Sequence, residues 1–174
     1  MLTYSVKARR IDSHGSVALA KAAEIALDTG VAGREDAFNP AELLLTSIAA
    51  CMIKSIERVA PLLEFELREV EVKLSGVRQD SPPMIVSIDY EIIVDTEEDD
   101  HRLDLLHSNV RKYGTISNTV AQATTLTGFL RRKQPMSSQD AEEHQAEIDR
   151  IAAFSRQRLD AIPAPGTDVL NEGP

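Results

Sequence analysis

Cys51 is the chain's only cysteine, and it follows the run Asn39-Pro40-Ala41-Glu42-Leu43-Leu44-Leu45-Thr46-Ser47-Ile48-Ala49-Ala50. A thiol in that place either fills space as a small apolar group or, as the thiolate, acts as a nucleophile. On a helix turning about 100° per residue, Ser47, Lys54, Ser55 and Arg58 share the face of Cys51, whereas Leu43, Leu45, Ala49 and Ile53 fall elsewhere. Lys54 and Arg58, one and two turns further on, favour the thiolate by direct charge. The helix dipole adds little, because Cys51 lies about three turns inside and the terminal charge acts over the first turn. Ala49 and Ala50 beside the thiol suit a packing role, so the residues by themselves leave both readings open.

Other chemistries find less support. The four histidines, His14, His101, His107 and His144, are scattered over a turn, one acidic helix and the tail, and none can be placed next to Cys51. A Cys–His hydrolase therefore rests on residue types alone. No metal-ligand spacing is present, and neither a metal nor another cofactor is expected. A single cysteine cannot form an internal disulfide, which fits a reducing compartment and a cytoplasmic location. Against 19 basic residues stand 28 acidic ones, a net charge of -9 that repels phosphates and disfavours nucleic-acid and acidic-membrane partners. The first residues lack an apolar stretch after a basic cluster, and no apolar run approaches the ~18 residues of a membrane span.

The elements that must position Cys51 follow from pattern. The chain's 174 residues suffice for one domain with a real core plus an appendage. Residues 1–31 read as strands, with Tyr4 to Ala8 alternating, a turn at Ser13-His14-Gly15, and two short strands or one bent strand from Val17 to Leu27; the alanines there keep helix as an alternative. Gly30 to Pro40 reads as a loop, and Asn39 and Pro40 suit the cap and first position of a helix running to about Leu62, with Pro61 near its end. Val70 to Leu74 and Ile85 to Val94 are paired antiparallel strands of a meander joined through Gln79-Asp80-Ser81-Pro82-Pro83. A helix is expected over residues 98–112, and a helix, or a helix ending in a strand, from Ile116 to Leu130. The order β-rich segment, helix, hairpin, helix, strand defines an α+β domain over residues 1–133. Residues 134–174 form a separate extension, whose Ile148, Ile151, Ala152, Leu159 and Ile162 fall near one helical stripe.

The stretch from Asn39 to Cys51 resembles a signature of the OsmC/Ohr family of peroxiredoxin-type thiol peroxidases, in which a Pro-x-Glu-Leu helix start leads to a reactive Cys. Lys112-Tyr113-Gly114-Thr115-Ile116-Ser117-Asn118-Thr119 is similar to the family's second signature, where a Cys precedes Pro-Val-Ser-Asn, and the strand pair with Pro82-Pro83 between the two also matches. The likeness covers about residues 3 to 132 and is closest to the OsmC-like branch. It implies antiparallel sheets packed with a central Cys-bearing helix, an intertwined homodimer, and two thiols meeting in a pocket at the subunit boundary. In that chemistry the first Cys breaks the peroxide O–O bond, becomes a sulfenic acid and is captured by the second as a disulfide, which an external dithiol resets.

By resemblance Cys51 is the peroxide-reacting thiol, and position 114 would hold the resolving one. Position 114 is Gly, so the two-thiol cycle has no second sulfur. In the Ohr branch a Glu directly after Asn-Pro orients an Arg toward the thiol; here that position is Ala41, with Glu42 beside it. Glu42 and Cys51 lie about half a circle apart on one helix, so Glu42 reaches a thiol only across a subunit boundary and is otherwise a first-turn acid favoured by the dipole. Arg10 and Arg34 are the candidates for the Arg, each also readable as a solvated charge. The expected function is a single-cysteine hydroperoxide reductase served by an external thiol. The alternatives are a degenerate module binding an apolar small molecule at the dimer interface, or an interaction protein whose C-terminal helix recruits a partner.

Overall fold

The computed structural model describes residues 1–134 and, in the C-terminal stretch, Glu142, Gln145, Ala146, Asp149, Arg150 and Ala153. The chain divides into two units, Met1–Lys133 and Gln134–Pro174. In the second unit the six described residues from Glu142 to Ala153 are helical and exposed, while the apolar stripe read from Ile148 to Ile162 lies outside the described residues.

The first unit is built around helix α1 (Pro40–Val59). The Asn39 side chain accepts hydrogen bonds from the N–H groups of Ala41 and Glu42, and Glu42 Oε2 accepts one from the Asn39 N–H at 2.8 Å. This reciprocal capping box satisfies N–H groups that have no partner inside the helix, and Pro40 presets the first helical position. The helix stops short of Leu62, because Pro61–Leu63 tightens into a 3₁₀ turn. One side of α1, made by Ile48, Met52, Ser55, Ile56 and Val59, is buried.

That side packs on a sheet. Strands β4 (Glu69–Gln79) and β5 (Met84–Asp95) form the expected antiparallel hairpin, with Glu69 opposite Asp95 and Gln79 opposite Met84. Every second residue of β5, Ile88, Tyr90, Ile92 and Val94, joins the core, as the two-residue period of a half-buried strand requires. Helix α2 (Asp100–Tyr113), capped by Asp99, adds Leu103, Leu106 and Val110 to the same cluster. A short helix α3 (Thr115–Val120) follows across Gly114, and the chain then enters β6 (Thr125–Arg132).

Here the structure corrects an expectation. β6 lies beside β5 in parallel, from Ser87 opposite Thr125 to Val94 opposite Arg132, so this sheet is mixed rather than antiparallel. The cause is the α2–α3 crossover, which carries the chain back so that β6 starts at the same end as β5. Gly128 stands opposite Tyr90; a Cβ there would lie 2.1 Å from the Tyr90 carbonyl oxygen and 2.5 Å from the ring, so only glycine fits.

A second, antiparallel sheet contains β1 (Lys7–Arg10), β2 (Ser16–Ala20) and β3 (Ala23–Leu27) in that order. The region from Val17 to Leu27 forms two strands, turning through Lys21-Ala22 with Lys21 at φ 54°. The first strand begins at Lys7 rather than Tyr4, because its limits are set by pairing with β2 and not by its own alternation. No residue of these three strands is buried.

Candidate functional site

Cys51 is half-buried on α1, beside the core-facing Met52. The helical spacing that carries Ile48, Met52 and Ile56 to the sheet leaves Ser47, Ala50, Cys51, Lys54, Ser55 and Arg58 along the wall of a cavity of about 470 Å³. Apart from Ala50, this is the grouping expected from the 100° helical turn. Tyr113, Thr115 and Ile116, where α2 passes into α3, form another part of the wall, and Leu2 and Tyr4 of the N-terminal segment complete it. The sequence reading missed all five. Tyr113, Thr115 and Ile116 belong to the second signature stretch, so their nearness to Cys51 had a signal; Leu2 and Tyr4, which precede β1, had none.

The Ile116 N–H donates a hydrogen bond to Cys51 Sγ at 3.4 Å. Ile116 is in the first turn of α3, whose N–H groups have no partner inside the helix and no side-chain cap. The bond ties the sulfur to the segment that follows Gly114. A Cβ at Gly114 would come 3.1 Å from Ser117 Oγ and 3.2 Å from the Val110 carbonyl oxygen, so a side chain there requires its neighbours to give slightly.

Charge at the cavity is one-sided. Among the described residues Lys54 and Arg58 line it, no carboxylate does, and neither cation forms an ion pair. Lys112 lies close by, its Nζ 5.0 Å from the centre of the Tyr113 ring. Ser55 is only 4% exposed, lines the cavity and makes no side-chain hydrogen bond with a described residue.

Within one chain the other residues singled out from the sequence do not reach Cys51. Glu42 is engaged in the capping box at the start of α1. Arg10 is the exposed last residue of β1, opposite Ser16. Arg34 holds Asp36 with two hydrogen bonds of 2.8 and 2.7 Å, and its N–H donates to Asp28. None of the three lines the cavity.

Behind α1, Tyr90 and His107 form a second polar contact, with Tyr90 Oη 2.9 Å from His107 Nε2. Burial raises the Tyr90 hydroxyl above its ordinary pKa. Burial, followed by the charge of Arg111, lowers His107 below 6.5. The neutral forms are favoured, which suits a phenol donating to an uncharged imidazole. A small cavity of about 100 Å³ adjoins Tyr90, walled also by Arg111 and by Ser117, whose buried hydroxyl has no partner among the described residues.

A capped central helix presenting one thiol to a cavity, backed by a hairpin and closed by a two-helix crossover, defines a class of α+β thiol protein. The chain belongs to the OsmC-like protein family, whose model matches residues 33–127, more than half of the chain. A search of curated proteins gives no match. Among solved structures it is similar to an OsmC-like protein from Mycoplasma pneumoniae, with 17% identity, a TM-score of 0.70, and coverage of 76% of this chain and 99% of that one. An organic hydroperoxide resistance protein OsmC from Legionella pneumophila gives 16%, 0.61, 75% and 97%. The organic hydroperoxide resistance protein OhrB of Bacillus subtilis gives 19%, 0.56, 75% and 98%. At these identities the likeness establishes the fold.

Proposed function

We propose that this protein is a one-cysteine hydroperoxide reductase, with Cys51 as the peroxide-reacting thiol and an external thiol as reductant. The observation that carries this reading is the placement of Cys51: its sulfur is on the wall of a cavity large enough for an organic hydroperoxide and is fixed by the Ile116 N–H. The thiolate attacks the peroxide oxygen, the O–O bond breaks, and the alkoxide leaves with a proton as the alcohol, so that Cys51 becomes a sulfenic acid. The chain holds no second cysteine to capture it. An external thiol must therefore reduce the sulfenic acid.

A homodimer is part of the proposal. The β1–β3 sheet buries none of its residues, and Leu19 within it and Phe38, which bridges to Leu27, are exposed. A small sheet needs an apolar face covered to be stable, and a second copy of the chain supplies such a cover. Glu42 or an arginine of one chain would then approach Cys51 of the other. The test is consumption of an organic hydroperoxide in the presence of a monothiol. Wild-type protein is expected to turn over, and Cys51→Ser to fall to background; equal rates for both would refute the reading.

One feature favours a second reading, an apolar-ligand module with an idle Cys51: Leu2, Tyr4, Ala50 and Ile116 give the cavity largely apolar walls. It predicts a co-purifying small molecule in native mass spectra, retained in Cys51→Ala.

A further inference from the structure

The charge of the Cys51 cavity bears on the co-reactant. We infer that the thiol that reduces Cys51 is a small one carrying carboxylate groups, held by Lys54 and Arg58. This deepens the peroxidase reading and rests on it for the sulfenic acid.

Three observations carry the inference. First, the chain has a net charge of -9, yet among the described residues the wall around Cys51 holds two cations and no carboxylate. Second, Lys54 and Arg58 have no ion-pair partner among the described residues, so both charges at the cavity are available to an anion. Third, Ser55 is only 4% exposed and lines the same cavity, and its hydroxyl makes no hydrogen bond with a described residue, so it is open to a polar group of a ligand. Lys54 and Arg58 are one and two turns from Cys51 on the same helix face, so a ligand a few bonds long can span from sulfur to cation. A hydroperoxide group offers these cations no charge, whereas a carboxylate does.

The chemistry balances with two equivalents of the thiol. The sulfur of the first attacks the Cys51 sulfur, the S–O bond breaks, and hydroxide leaves with a proton as water, giving a mixed disulfide. The second attacks the outer sulfur; the S–S bond breaks, the Cys51 thiol returns and the external disulfide departs. Two external thiols are oxidised as one sulfenic acid is reduced. Carboxylate contacts to Lys54 and Arg58 orient the first attack and stabilise the mixed disulfide.

That mixed disulfide is also reached without peroxide, by exchange between reduced Cys51 and a small symmetric disulfide. The test uses three disulfides of similar size, dithiodiglycolate (anionic), bis(2-hydroxyethyl) disulfide (neutral) and cystamine (cationic), with intact mass as the readout. With each rate divided by that of the same reagent with a free small thiol, which cancels the different leaving groups, exchange is expected to be about tenfold faster with the anionic than with the cationic reagent, and this ratio to shrink as salt rises. In Lys54→Gln/Arg58→Gln, two exposed helix positions that tolerate Gln, the ratio should fall to about one. Because it compares reagents on one protein, the ratio is independent of any change in the reactivity of the sulfur. Equal or reversed rates in the wild type, or a ratio that survives the double substitution, would overturn the inference. Failure of Cys51 to react with hydroperoxide would instead remove the peroxidase reading while this ratio still reports on docking.

Discussion

At the scale of single residues, the Cys51 sulfur is positioned by its own helix and by a backbone N–H from the far side of Gly114. His107 yields a pH prediction of its own. Its folded-state pKa lies below 6.5, through burial first and Arg111 second, so under mildly acidic conditions the unfolded chain binds a proton there that the folded chain does not. Its contribution to stability is therefore present above about pH 6.5 and is lost as pH falls through the lower folded-state value. His107→Asn should flatten the decline of the urea midpoint on going from pH 7.5 to about 5.5. An unchanged decline would show that His107 is not its source. Asp36, Asp95 and Glu98, each held below the usual carboxylate range chiefly by hydrogen bonds to arginine, titrate lower still and leave that window clear.

At the scale of elements, two glycines of the mixed sheet make opposite predictions. Gly128→Ala drives a Cβ into the Tyr90 carbonyl and ring, and should cost about 2–3 kcal/mol in urea unfolding. Gly76→Ala meets nothing nearer than 3.5 Å and should stay within about 1 kcal/mol of wild type. Similar losses at both positions would count against the β5–β6 register. What the sequence discloses about these elements follows the same physics. Asn39-Pro40, the alternation in β4 and β5, and the helical spacing on α1 were legible because each is written in consecutive residues. The parallel sense of β6 was not, since it depends on where the crossover leaves the chain. Leu2 and Tyr4 at the cavity were equally hidden, for no local pattern links a segment ahead of β1 to the third turn of α1.

At the scale of the whole molecule, the unburied β1–β3 sheet predicts self-association. Sedimentation equilibrium should give a dimer mass at micromolar concentration, and a monomer there would remove the shared-site part of the proposal. Among the described residues no helix is long and apolar enough to cross a membrane. The overall negative charge and the positive patch at Cys51 act on different scales: the first sets colloidal behaviour, the second which small molecules stay beside the thiol. The central claim is that Cys51 is a reaction centre and not filler. Its most direct test is a single addition of organic hydroperoxide to the reduced protein, followed by intact mass with a sulfenic-acid trap. The account predicts that Cys51 gains one oxygen atom and that the trap captures it; a sulfur left unmodified by excess hydroperoxide in the folded protein would contradict it.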